Sequence, residues 1–154
     1  MATHRLAGAP VRPGWPRRVG LVFAALACAV GPAMAKLTIY DYFSKWNRER
    51  PLRQRTDYIV LHTTEGGDSG SLRKVHDNGE ANYFLDSAGN VYKVIDRRKV
   101  AFHAGRSMWN GRTDMDNCTI GIEVAGYHDG DITAKQYAAL RELLSQLKAM
   151  YNLT

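Results

Sequence analysis

The sequence predicts a single α/β domain: a mixed central β-sheet with flanking helices, preceded by a signal peptide. Three observations carry that expectation. Two apolar runs rich in β-branched residues, at 58–64 and 119–126, have the length and composition of buried strands. Between them lie a short helical pattern and a hairpin pattern. After the second run, Tyr137, Leu140, Leu144, Leu147 and Tyr151 recur at helical spacing. The 154 residues, 45% hydrophobic and 23% charged, suffice for one domain with a core and are too few for two.

Residues 1–35 read as an export signal. A proline-rich start bearing Arg5, Arg12, Arg17 and Arg18 precedes a charge-free apolar run at 19–30, and Ala33-Met34-Ala35 gives the small-x-small cleavage pattern. The run is too short to span a bilayer as a helix. The expectation is cleavage after Ala35 and delivery to the periplasm or cell envelope, by the general secretory route in preference to the twin-arginine one. Cys28 offers lipid attachment as the lesser alternative, since Ala25-Leu26-Ala27 fit that pattern poorly. Four arginines and no acid leave with the signal, so the remainder carries +2 of the +6 net charge. No Lys/Arg block of nucleic-acid type remains. Cys118 is then the one cysteine left, with no internal disulfide partner, and reads as a small buried hydrophobe.

The mature chain divides into an N-terminal arm, 36–56, and a main domain, 57–154. The arm is rich in aromatics (Tyr40, Tyr42, Phe43, Trp46) that are expected to pack on the body, followed by Arg48, Arg50, Arg53 and Arg55. The run at 58–64 is the expected rigid post, delivering His62 into a glycine-rich polar loop. Residues 69–77 predict a short helix with Ser71 as its cap and Asn78-Gly79 as its stop. Residues 81–85 and 91–95 predict a hairpin about the turn at 86–90. A short strand at 100–102 should lead into His103, and a polar loop at 106–117 into the second buried strand. Thr133 and Gln136 form a capping box for the last helix.

Glu123 is the residue with the clearest chemical content. It sits inside an otherwise apolar strand, where desolvation raises a carboxyl toward the range of a general base. An ion pair with a nearby arginine, or a water-facing strand end, are the equal alternatives on pattern alone. Of the four histidines after residue 35, His76 and His128 fall in solvated settings, while His62 and His103 each end a strand. None makes a metal pair at helical or hairpin spacing.

The order of these segments carries a resemblance. Tyr58-Ile59-Val60-Leu61-His62-Thr63-Thr64, Ala81-Asn82-Tyr83-Phe84-Leu85-Asp86 with Gly89-Asn90-Val91-Tyr92, Ala101-Phe102-His103-Ala104-Gly105, and 117–123 together resemble the zinc-dependent N-acetylmuramoyl-L-alanine amidases of the type-2 amidase family. That family includes the phage T7 lysozyme type and is related to peptidoglycan recognition proteins. The resemblance runs from about Asp57 to the end of the chain. It implies Zn2+ as cofactor with His62 as a metal ligand, and Glu123 as the general base that activates the metal-bound water. It implies Tyr83, His103, Trp109 and Asn117 as residues lining the groove for a peptidoglycan or muropeptide substrate. Arg106 and Arg112 are placed by charge and loop position to meet stem-peptide carboxylates. Asn82 stands where the family commonly has a histidine. The family's second zinc histidine and its third ligand follow the terminal helix, where this sequence stops, so the implied metal site is incomplete. Two functions follow: a zinc hydrolase cleaving the amide between N-acetylmuramic acid and L-alanine, or a non-catalytic peptidoglycan-binding module with the same groove.

Overall fold

The computed structural model describes residues 37–154. The expected signal peptide, its cleavage point and Cys28 lie outside them. Seven strands and two α-helices follow in order: β1 (Ile39–Asp41), β2 (Tyr58–Thr63), α1 (Asp68–Asn78), β3 (Tyr83–Leu85), β4 (Val91–Lys93), β5 (Met108–Trp109), β6 (Arg112–Thr113), β7 (Thr119–Val124) and α2 (Ala134–Tyr151). Five of the strands make one sheet in the order β1-β4-β3-β7-β2, and β5 and β6 form a separate two-stranded ribbon. The β3–β4 pair is antiparallel and the other three pairings are parallel, so the sheet is mixed as the sequence predicts.

Side-chain alternation along β7 divides the core. Ile120, Ile122 and Val124 face one side and pack with Tyr83, Leu85, Val91 and the α2 residues Leu140, Leu143 and Leu147. Phe84, Val94, Ile95, Ala101 and Ala125 pack with Val75 of α1 on the other. Thr119, Gly121 and Glu123 point toward that second side, which is where the candidate site forms. Helix α2 is docked by its cap as well as by its apolar stripe. The Thr133–Gln136 capping box is present, and Gln136 Nε2 donates to the Ala125 carbonyl at 2.7 Å, tying the helix start to the end of β7. The hairpin turn is held by Asp86, whose Oδ1 accepts from the amides of Ala88 and Asn90. Gly89 completes it at φ +84°, with the Lys135 backbone so near that a Cβ would sit 2.9 Å from its carbonyl oxygen.

Several local expectations are corrected. The run at 58–64 is not a central buried strand: β2 is the sheet edge, bonded to β7 alone, and Leu61 is 47% exposed. An apolar run registers burial on average but does not say how many neighbours a strand has. Helix α1 begins at Asp68 after Gly67, which places Ser71 inside its first turn, where its amide bonds the Gly67 carbonyl. Residues 100–102 form no strand; the backbone there is irregular, with an isolated bridge between Leu52 and Lys99. The arm contributes a strand of its own, since β1 pairs with β4. Its aromatics do pack on the body: Tyr40 stacks on Tyr92 at 5.4 Å, and Trp46 Nε1 donates to the Asp77 carbonyl at 2.8 Å.

Candidate active site

His62 and Glu123 are register partners in the parallel pair β2–β7. Paired residues in such a ladder project from the same face, on strands about 4.8 Å apart, so the imidazole and the carboxyl stand side by side. Glu123 is half-buried, and among the described residues no hydrogen bond or ion pair reaches it. Burial, reinforced by the charge of Glu80 and only partly offset by Lys74, pushes its carboxyl up to about 7. The expected alternative of an arginine ion pair is absent, and desolvation acts unopposed by a close partner.

His103 joins this pair from the loop before the ribbon. Asp116, buried in a short 3-10 turn (Met115–Asn117), accepts from the backbone amides of His103 and Ala104 through Oδ1 at 2.9 and 2.8 Å. His103 packs closely on Gly121, where a Cβ would come within 2.4 Å of Cγ. Its Nε2 is 2.9 Å from Thr119 Oγ1, and its Nδ1 is 3.0 Å from His62 Nε2. The two rings meet edge to face, with centroids 5.2 Å apart. Burial pulls His103 down to about 4 and also lowers His62; in both cases the Asp116 charge works against it. Both imidazoles are therefore neutral at pH 7, beside a carboxyl balanced between its two forms.

A groove of about 550 Å³ opens beside His62, walled by β2 from Tyr58 to His62 and by Ala104, Met108, Trp109 and Met115. Trp109 and Met108, 65% and 70% exposed, form its apolar rim. Of the residues the sequence singles out, His62 is the shared point: it is in register with Glu123, touches His103 and lines the same groove as Trp109. Tyr83 does not join them. It is 3% exposed on the opposite face of the sheet, in the core under α2, where burial pushes its hydroxyl up to about 12. Alternation explains it: Tyr83 pairs with Ile122, one residue out of phase with Glu123. Asn117 also stands apart, its Nδ2 donating to Asp114 Oδ2 and its side chain lining a different recess with Arg53 and Cys118. Arg112 gives Nη1 to Asp57 at 2.6 Å, and Arg106 is exposed. Asn82 is a staple of the fold. Fully buried, it directs Nδ2 to the carbonyls of Ile95, Asp96 and Lys99, and its Oδ1 accepts from the Gly121 amide.

Three residues that shape the site, Asp116, Thr119 and Gly121, were not marked by the sequence reading. One signal was there to find them: Thr119 and Gly121 precede Glu123 by four and two positions, so period-two alternation puts all three on one face. The metal is a different matter. A catalytic zinc takes about three protein ligands and a water. His62 and His103 bring two nitrogens together, and among the described residues no group of three His, Cys, Asp or Glu side chains is arranged to hold a metal. The described residues do not complete a zinc site.

Comparison with known proteins bears on the fold and the family. The profile of the N-acetylmuramoyl-L-alanine amidase family matches residues 52–154. The 1,6-anhydro-N-acetylmuramyl-L-alanine amidase AmpD of Haemophilus influenzae is 30% identical over 71 residues, covering 46% of this chain and 39% of that protein. The N-acetylmuramoyl-L-alanine amidase AmiD of Escherichia coli is 27% identical over 78 residues, covering 46% and 28%. The chain therefore spans well under half the length of these relatives. Among solved structures, AmiD in complex with anhydro-N-acetylmuramic acid-L-Ala-D-gamma-Glu-L-Lys superposes with a TM-score of 0.59 at 21% identity, over 68% of this chain and 47% of that one. The amidase LysC of Clostridium intestinale gives 0.60 at 20% identity, over 76% and 78%. At these identities the superpositions speak to the fold alone.

Proposed function

Because the chain belongs to the N-acetylmuramoyl-L-alanine amidase family, we propose that it hydrolyses the amide between N-acetylmuramic acid and L-alanine in peptidoglycan. The observation that carries this is the register pairing of His62, which lines an open groove, with Glu123, whose carboxyl is lifted to about 7. A carboxylate at that value can take a proton from water as the oxygen attacks the amide carbonyl, then return it to the departing amine. The neutral His62–His103 pair borders the reacting carbonyl, and Trp109 and Met108 offer apolar surface to the sugar or its lactyl arm. The muropeptide bound by AmiD supports the substrate class. Zinc is the cofactor belonging to this reading, with His62 as one ligand; among the described residues no group of three candidate ligands is arranged to hold it.

That ligand count favours a second reading, a muropeptide-binding module that uses the same groove without turnover. One experiment separates the two. The full chain is purified, its zinc content measured, and peptide release followed on purified muropeptide with and without chelator. Release abolished by chelator is the expected result; binding without release at any zinc level would leave the module. Glu123→Gln should lower release at least ~100-fold, the usual scale of a lost general base, while muropeptide binding by calorimetry stays near the native value. Unchanged release would remove Glu123 from the reaction.

Export to the periplasm or envelope through residues 1–35 belongs to the same proposal, because the wall is the substrate. A processed N-terminus at Lys36, read by mass spectrometry, is the expected outcome, and a lipid on Cys28 would replace it with membrane attachment. Among the described residues no helix is long and apolar enough to cross a membrane.

A further inference from the structure

Thr119 is completely buried in β7, and its hydroxyl has a single hydrogen to give. That hydrogen goes to the Met115 carbonyl at 2.7 Å. At its second contact, 2.9 Å from His103 Nε2, the same oxygen must accept. His103 therefore carries its ring hydrogen on Nε2 and presents a lone pair at Nδ1. The Asp116 carboxylate oxygen 3.8 Å from Nε2 favours the same choice, since a hydrogen there is attracted and a lone pair repelled. His103 Nδ1 in turn lies 3.0 Å from His62 Nε2, so the hydrogen between the two rings must come from His62. An extra proton on His103 would set N–H against N–H at that distance. The hydrogens then run one way, from His62 to His103 to Thr119 to the Met115 carbonyl.

We infer that Thr119, acting through His103, is a positioning residue that fixes the tautomer of His62, with hydrogen on Nε2 and the bare lone pair on Nδ1. The chain of contacts has a fixed end because a backbone carbonyl can only accept, and every group between it and His62 is oriented in turn. Gly121 and Asp116 serve the same end by holding His103 in place, one by leaving room for its ring and the other through two backbone amides. His62, which lines the groove, is thus left with one defined acceptor atom, Nδ1. The use of that atom in amide hydrolysis rests on the function proposed above; the tautomer itself does not.

Nitrogen NMR of the full chain labelled with 15N-histidine tests this without substrate, His62 and His103 being assigned from His62→Gln and His103→Gln spectra. The expected native pattern is hydrogen-bearing Nε2 and bare Nδ1 on both rings. Thr119→Val keeps the shape of the side chain and removes the hydroxyl, so His103 and His62 should lose their single tautomer and show averaged signals. Thr119→Ser should restore the native pattern. Hydrogen on Nδ1 of either ring in the native chain would overturn the inference, and so would a His62 pattern unmoved by Thr119→Val in a folded protein. Should that variant fail to fold, the native and Thr119→Ser spectra decide. A native pattern as expected in a chain that releases no peptide upholds the tautomer and counts against the amidase alone.

Discussion

At Glu123 and His103, burial acts on two neighbouring groups with opposite consequences for stability. Glu123 is lifted from 4.5 to about 7, so between those values the folded chain holds a proton that the unfolded chain has released, and stability falls as pH rises through the interval. His103 is lowered from 6.5 to about 4, so across that span the unfolded chain holds the extra proton, and stability falls as pH drops. The two slopes oppose one another where they overlap. Glu123→Gln removes one of them. Thermal melts should then show stability rising with pH through the His103 interval, and at about pH 8 the variant should exceed the native chain by about 1–3 kcal/mol. Peptide release by the native chain should climb as pH passes about 7, where Glu123 becomes free to accept. Gly121 gives a steric prediction at the same scale. Gly121→Ala drives a methyl into the His103 ring and should cost about 1–3 kcal/mol in denaturant unfolding, the usual penalty of overpacking. Glu123 was legible in the sequence because a lone acid among apolar neighbours is conspicuous. Gly121 was not, since the ring it accommodates arrives from eighteen positions earlier in the chain.

Elements differ in how locally they are encoded. Helix α2 is specified by neighbours in sequence: a threonine, a glutamine three positions on, and an apolar stripe in which Leu140 and Leu147 are buried as expected, while Leu143 joins them and Tyr137 is exposed. Thr133 Oγ1 accepts from the Gln136 amide and donates to the Ser87 carbonyl, so it fastens the helix start to the hairpin as well. Thr133→Ala should cost about 1 kcal/mol in urea unfolding, as lost N-caps commonly do. Elements whose form depends on distant partners were harder to read. The ribbon β5–β6 has two residues per strand, below the length at which alternation is visible, and its segment reads as loop. Residues 100–102 carry apolar side chains yet form no strand, because Val100 and Ala101 are buried by packing while their backbone joins no ladder. The expected cap at Ser71 failed for a similar reason: α1 starts three positions earlier at Asp68, whose carboxylate receives the Ser87 amide from the hairpin turn.

Across the whole molecule, the site lies at the margin of the sheet. Mixed sheet and flanking helices followed from the spacing of apolar runs, but strand order did not, because it is settled by which strands bury both faces. Ile120, Ile122 and Val124 of β7 are all nearly inaccessible, whereas no residue of β2 is fully buried and Leu61 and Thr63 are exposed. His62 consequently sits on a strand whose outer backbone edge has no strand partner among the described residues. Open edges with apolar side chains invite pairing between molecules. Leu61→Lys should leave unfolding stability within about 0.5 kcal/mol, as for most exposed positions, and should reduce self-association measured by light scattering at high concentration.

The side chain of Asn82 has a bearing on how this site can change over time. A single amide grips the stretch at 95–99 and the β7 backbone beneath His103 together, so neither can drift without the other. An imidazole at position 82 has too few hydrogen-bonding atoms to keep all of these grips. A lineage or a designer introducing it here would have to redraw the 95–99 stretch in the same stroke, which makes that corner of the protein a place where substitutions travel in groups.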